Sequence, residues 1–351
     1  MMQSDIELDD YNDFADTRVL TVPADLAGTR LDAALAKILP DFSRSRMAGW
    51  IKDGQVLLDG APATTKTKLW GGETLTVTIQ PDPNEVAYVA EDLPLEVLYE
   101  DAALLIINKP AGLVVHPGNG NWEGTLLNAL LFHYPEVRSI PRAGIVHRLD
   151  KDTSGLMVVA RTLQAQNHLV KQLQERTVKR HYLAVASGEI RRDGTVDAPI
   201  GRHPKDRTKM AVIHSGKESI THYLVLEKFA GYTLIECRLE TGRTHQIRVH
   251  MAHLKHALAA DPVYGTPPRL DISPEVRLAL EELNRQALHA RKLSLVHPVT
   301  GKTMEWKAPT PFDLEQLIGT LRAELAMAND ADEDDDDEDD DHDCEVIYTR
   351  E

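Results

Sequence analysis

The stretch that most limits what this chain can fold into is Gly144-Ile-Val-His-Arg-Leu-Asp-Lys-Asp-Thr-Ser-Gly-Leu-Met-Val-Val-Ala160, in which a densely charged segment runs straight into an apolar strand. Leu156 to Ala160 carries no polar side chain and reads as a buried strand. Thr153, Ser154 and Gly155 read as the turn before it, because small hydroxyl side chains bond the local backbone and glycine accepts unusual dihedrals. That pattern holds Asp150 at the lip of a buried strand, partly screened from water. An isolated aspartate in such a place is ordinarily a turn cap. The rest of the chain decides whether this one is.

Charge is unevenly spread. Of the net charge of -16, residues 1–16 carry six acids and no base, and residues 329–351 carry 14 acids and one base. The body between them holds 35 acids, 38 bases and 14 of the 15 histidines. A mildly basic body between acidic tails is compatible with a polyanionic partner. Both tails have like charges and little to bury, so disorder is expected there, and the C-terminal one is expected to screen the basic body from stray polyanions. No run of 18 apolar residues and no basic, apolar leader is present, and Cys237 and Cys344 offer no disulfide framework. These features fit a soluble protein of a reducing cytoplasm, with no membrane association.

Residues 17–80 read as a compact unit. Leu31, Ala34, Leu35, Ile38 and Leu39 form a helical stripe within Leu26 to Leu39, stopped by Pro40. A second helix starts at Ser43, a suitable N-cap, and ends at Gly54. Strands follow at Gln55 to Leu58 and Thr74 to Ile79, with a turn at Asp59-Gly60. Arg44, Arg46, Lys66 and Lys68 cluster near the helix pair as an RNA-reading surface. Residues 81–85, opening with Pro81-Asp-Pro-Asn84, read as a linker.

Residues 86–325 then alternate strands and helices: strands at Ala103 to Asn108, Leu156 to Ala160, Tyr182 to Ala186, Ile220 to Leu226 and Tyr232 to Leu239, helices at Thr125 to Phe132 and Leu163 to Leu173. The class is α+β, with no repeat and no phosphate-loop or dinucleotide fingerprint. Thr244 reads as the N-cap of a further helix whose Ile247, Met251 and Leu254 face inward, with His245 and Arg248 on its rim. A guanidinium beside a partly buried carboxylate favours the charged form of both. His245, His250 and His253 lack the order of a zinc helix. Asp150-Lys-Asp152-Thr153 spells the start of a haloacid-dehalogenase-type phosphatase, but there the apolar strand precedes the first aspartate, and here it follows.

Four motifs together carry a resemblance: Asn108-Lys-Pro-Ala-Gly-Leu-Val-Val-His-Pro117, His147-Arg-Leu-Asp-Lys-Asp-Thr-Ser-Gly155, Lys179-Arg-His-Tyr182 and Thr241-Gly-Arg-Thr-His-Gln-Ile-Arg-Val-His250. In order and spacing they resemble the RNA pseudouridine synthases that act on large-subunit ribosomal RNA. Gln286-Ala-Leu-His-Ala290, His297-Pro-Val-Thr-Gly301, Met304-Glu-Trp306 and Pro309-Thr-Pro311 look like the branch that modifies the helix 69 stem-loop, and residues 17–80 resemble the S-four-like RNA-binding module. The resemblance implies a mainly antiparallel catalytic sheet, an isomerase active as a monomer on ribosomal RNA or a pre-ribosomal particle, and no metal or cofactor. It makes Asp150 the essential carboxylate, Arg248 its partner and Tyr182 the aromatic platform for the base. His147, Arg148 and Arg243 are implied RNA contacts, Arg148 filling the space a flipped uridine leaves. A non-catalytic assembly protein on the same scaffold requires loss of Asp150, Tyr182 or Arg248, and all three are present. The chain departs from the family at Ala257 and Ala260, where proline and glycine are usual, so the loop there is expected to differ.

Overall fold

The computed structural model describes residues 16–40, 42, 44–79, 89–117, 122–206, 209–267 and 272–336, which fall into two compact units divided near residue 87. The expected linker, the Ser43 cap, residues 1–15 and residues 337–351 lie outside the described residues.

In the first unit, helices α1 (Leu31–Ile38) and α2 (Arg44–Lys52) pack on strands β1 (Asp16–Thr21), β2 (Val56–Leu58), β3 (Ala61–Pro62) and β4 (Thr74–Ile79). The sheet is antiparallel in the order β1-β4-β2-β3, and Leu31, Leu35, Met47, Leu69, Leu75 and Val77 fill the space beneath the helices. α1 starts at Leu31, the first residue of its apolar stripe and five residues into the expected Leu26 to Leu39 segment. The preceding backbone is engaged elsewhere, with Gly28 N–H donating to Leu69 O at 2.7 Å and Leu31 N–H to Thr67 O at 2.8 Å. Asp59-Gly60 makes the tight hairpin turn, with both residues at positive φ. β1 was not legible in the sequence.

The second unit is built on one nine-stranded sheet. Its strands are β5 (Val97–Glu100), β6 (Leu104–Lys109), β7 (Ser154–Ala160), β8 (Lys179–Ser187), β9 (Gly194–Asp197), β12 (Ile220–Phe229), β13 (Tyr232–Leu239), β14 (Leu288–Val296) and β15 (Thr303–Lys307). They are ordered β5-β6-β7-β14-β8-β13-β12-β9, with β15 on β14. Only the β7–β14 pairing is parallel among them. A separate hairpin joins β10 (Ile200–Arg202) to β11 (Met210–Val212). Helices α3 (Leu126–His133) and α5 (Gln246–His253) cover one face, α4 (Leu163–Gln174), α6 (Pro274–Leu283) and α7 (Phe312–Asp336) the other.

Alternation along the central strands divides the core. Leu105, Ile107, Met157, Val159, Tyr182 and Ala184 face α3 and α5, while Leu104, Ile106, Leu156, Val158, Leu183 and Val185 face the other layer. β6 and β7 are covered on both sides, as their unbroken apolar runs require.

Two boundaries correct the sequence reading. The turn before β7 spans Asp150 to Thr153, closed by Thr153 N–H on Asp150 O at 3.1 Å, and Ser154 and Gly155 already belong to the strand. α7 continues through Asp336, eight residues into the segment expected to be disordered from 329, because residues 320–336 contain neither glycine nor proline to stop it.

Candidate active site

Asp150 sits on the loop entering β7, and that loop is gripped residue by residue. Lys109, fully buried at the end of β6, donates from Nζ to Lys151 O at 2.8 Å, Pro110 O at 2.7 Å and Leu113 O at 2.9 Å. Arg285 donates to Asp152 O at 3.2 Å while its other nitrogens clamp Asp313. Gln286 Nε2 donates to Thr153 Oγ1 at 3.0 Å, and Ser154 Oγ meets His289 Nδ1 at 3.0 Å. Gly155 permits β14 to pass, since a Cβ there would lie 2.3 Å from Ala290 O. Burial draws the Lys109 ammonium down to a pKa of about 7, against the opposing charges of Asp152 and Asp150. The sequence reading assigned roles to none of Lys109, Arg285 and Gln286. The signal for Lys109 was a lysine closing a strand whose first four residues are apolar.

The partner of Asp150 comes from α5. Arg248 Nη1 donates to Asp150 Oδ2 at 3.0 Å, while Nε and Nη2 donate to Asp261 at 2.7 and 2.9 Å. Asp261 is buried and also accepts the N–H groups of Val263 and Tyr264. Burial opposes its ionisation, yet the Arg248 hydrogen bonds and charge hold its pKa below the usual carboxylate range. Burial likewise lowers the Arg248 pKa, and Asp261, then Asp150, push it above the ordinary guanidinium value. Asp261 thus braces Arg248 with two parallel hydrogen bonds and leaves one nitrogen for Asp150. Its role was missed. The sign of it was an aspartate retained in a loop that otherwise departs from the family. In the same loop Ala260, where glycine is usual, adopts φ +53°.

α5 begins at Gln246, and its N-cap is His245 in the left-handed region, not Thr244. Gln246 explains the shift. Its amide makes four hydrogen bonds, accepting from Thr241 Oγ1 and Arg243 N–H and donating to Ile220 O and Thr221 Oγ1, which ties the turn to β12. His250 is consumed by Thr221 Oγ1 and Ala198 O. Among the described residues no group of three or more histidine, cysteine, aspartate or glutamate side chains could hold a metal.

Tyr182 lies on β8, paired with Cys237 of β13 and nearly buried. Burial, opposed by Arg180 and reinforced by Asp150, raises its phenol pKa, so the ring is neutral at physiological pH. The sheet order inserts β14 between β7 and β8, so the loop and Tyr182 belong to strands on either side of it. The expected RNA contacts divide. Arg148 and Arg243 are exposed, Arg243 also donating to Glu218 O at 3.1 Å. His147 is half-buried: its Nε2 accepts the Val158 N–H at 3.1 Å, and burial with the nearby Arg180 charge lowers its pKa to about 3. In the first unit Lys66 and Lys68 are exposed, Arg44 pairs with Asp32 at 2.8 Å, and Arg46 lies over the rings of Phe42 and Trp50.

With this geometry in place, comparison with known proteins is decisive. Residues 103–253 match the RNA pseudouridylate synthase family and residues 29–75 the S4 domain. The ribosomal large subunit pseudouridine synthase D of Nitrosomonas europaea is 57% identical over 86% of this chain and 87% of its own. The chain belongs to the RNA pseudouridylate synthase family. The protein named ribosomal large subunit pseudouridine synthase D in Escherichia coli is 51% identical over 88% of this chain and 96% of its own. Human RNA pseudouridylate synthase domain containing 4 shares the fold at 25% identity, with a TM-score of 0.51 over 65% of this chain and 93% of that one. Among pseudouridylate synthase residues, the family match spans Lys109, Asp150, Tyr182 and Arg248, while Asp261, Arg285 and Gln286 lie beyond its end. No helix of the described residues is long and apolar enough to cross a membrane.

Proposed function

We propose that this protein converts uridines of large-subunit ribosomal RNA to pseudouridine, in the helix 69 stem-loop, acting as a cytoplasmic monomer on free or pre-ribosomal RNA. The observation that carries this reading is the Asp150 carboxylate, with Oδ2 held by a doubly braced arginine and Oδ1 outside that pairing, 3.9 Å from His245 Nε2. The relatives' names and the C-terminal motifs support the substrate.

The reaction breaks the N1–C1′ bond, turns the uracil, joins C5 to C1′ and moves the C5 proton to solvent while N1 gains one. An anionic carboxylate suits either opening step, attack on the electron-poor C1′ or removal of a ribose proton to give a glycal. Both routes use the oxygen that Arg248 leaves open. Tyr182 packs against the displaced base, and the exposed Arg148 fills the space it vacates. Unstacking costs a few kcal/mol, less in a loop than in a duplex. The basic residues of the N-terminal unit supply salt-sensitive affinity.

The test is pseudouridine mapping of protein-free large-subunit RNA incubated with purified protein without added metal. Modification in the helix 69 loop by the native chain, and none by Asp150→Asn, is expected. Modification elsewhere overturns the helix 69 assignment, and an active Asp150→Asn protein overturns the mechanism.

A further inference from the structure

We infer that His245 is a second positioning residue for Asp150, bordering the oxygen that Arg248 leaves free, and that Tyr264 imposes the tautomer this role needs. This rests on the reading of Asp150 as the reacting carboxylate. His245 Nε2 lies 3.9 Å from Asp150 Oδ1, whereas Arg248 bonds Oδ2. The two groups therefore flank different oxygens.

The proton positions follow from the hydrogen bonds. The Met210 N–H, which can only donate, points at Tyr264 Oη from 2.8 Å, and Tyr264 Oη lies 2.8 Å from His245 Nδ1. With an incoming donor already on its oxygen, the phenol has Nδ1 within reach as the acceptor for its own proton, and the proton is assigned there. The proton of a neutral ring then sits on Nε2, facing Asp150. The groups around the ring are Asp150 and Arg148 from the loop, Arg248 from α5, and Asp261 and Tyr264 beyond it. Burial outweighs the two carboxylates and lowers the imidazole pKa, in keeping with a neutral ring.

Two further observations fit a placed group. His245 adopts φ +55°, a conformation that non-glycine residues reach only at a cost, and the Gln246 lattice holds it there. Its ring also meets Tyr264 edge-on at 5.6 Å, and Tyr264 lies under the Arg248 guanidinium. One tyrosine thus backs both groups that flank Asp150. The 3.9 Å gap is wider than a hydrogen bond, so the Nε2–H acts on Oδ1 through its dipole and limits how the carboxylate turns about its bond to Arg248.

Single-turnover pseudouridine formation at saturating RNA, with RNA affinity measured separately, tests this. His245→Leu is expected to slow the rate at least ~20-fold with affinity within about threefold. His245→Gln, whose amide nitrogen can donate from the Nε2 position, is expected to stay within roughly fivefold of the native rate. Tyr264→Phe is expected to fall between them. A native rate for His245→Leu, or equal losses for the leucine and glutamine variants at matched thermal stability, overturns the inference. Asp150→Asn in the same assay separates the readings. If it is inactive while His245→Leu is native, only the role of His245 fails; if it is active, the reading of Asp150 fails.

Discussion

Two arginine–aspartate clusters among the described residues are built from the same parts in opposite proportion. In the N-terminal unit one carboxylate, Asp32, takes two guanidiniums: Arg30 bonds both its oxygens and Arg44 bonds Oδ2. In the catalytic unit one guanidinium, Arg248, takes two carboxylates, both oxygens of Asp261 and one of Asp150. The first arrangement saturates its aspartate and ties the start of α1 to α2, while Arg30 and Arg44 remain about half exposed. The second engages all three nitrogens of its arginine and leaves Asp150 Oδ1 outside the pairing. The first is a structural joint, and in the proposed function the second leaves a carboxylate oxygen for the reaction.

The strongest way to break this contrast is Asp150→Asn. Activity should fall by at least ~10³-fold, because an amide is neither an anionic nucleophile nor a base. Urea unfolding should move by no more than about 1 kcal/mol, since Arg248 keeps its two bonds to Asp261. A large loss of stability there makes Asp150 a structural group. Asp261→Ala should do the reverse in proportion. It strands a buried guanidinium and should cost about 3–5 kcal/mol in urea unfolding, along with activity. Asp32→Ala should cost less, ~1–2 kcal/mol, because the exposed arginines it releases can turn to water. RNA affinity should weaken while the single-turnover rate at saturating RNA stays native. A slowed rate there contradicts the division between joint and site.

Acid sharpens the comparison further. Asp32 and Asp261 have pKa values below the ordinary range, Asp32 because the Arg44 and Arg30 hydrogen bonds overcome burial. Stability they contribute is present above the unfolded carboxylate pKa and is lost only as pH falls through their folded values. Between pH 7 and 5 neither cluster should weaken. The buried neutral histidines should. Burial lowers His147 to a pKa of about 3 and His289 to about 4, so the unfolded chain gains their protons first. Their contribution is complete above roughly pH 6.5 and drains away below it, on the order of 1–2 kcal/mol each by pH 5. His116, His181, His245 and His250 shift the same way. Urea midpoints across that range should therefore fall, and a flat profile removes the assignment. The smallest effect concerns the brace itself. Ala260→Gly relieves a left-handed alanine beside Asp261 and should stabilise the protein by about 0.5–1 kcal/mol without changing the rate.

The sequence by itself determined the strands and helices with strong periodicity, and Tyr232–Leu239 has the bounds that its pattern indicates. It also singled out Asp150, Tyr182 and Arg248 as candidates, because short motifs keep their order whatever the fold does between them, and the structure pairs Arg248 with Asp150. It did not show β1, the helical turns of residues 329–336, or the left-handed His245 at the start of α5. Those depend on which distant backbone groups claim a segment's hydrogen bonds, and local propensity carries no record of that choice.

Only the tertiary structure decided how the site is held. β14 comes in 128 residues after β7 ends and lies between β7 and β8, bringing His289 against Ser154 while Arg285 and Gln286 grip the turn beside Asp150. Asp261 became the brace of Arg248, and His147 took a strand N–H on its Nε2. The physical reason is common to all of them. A motif states which chemical groups are available, but the partner of each buried polar group is settled when burial removes water and every donor must find an acceptor.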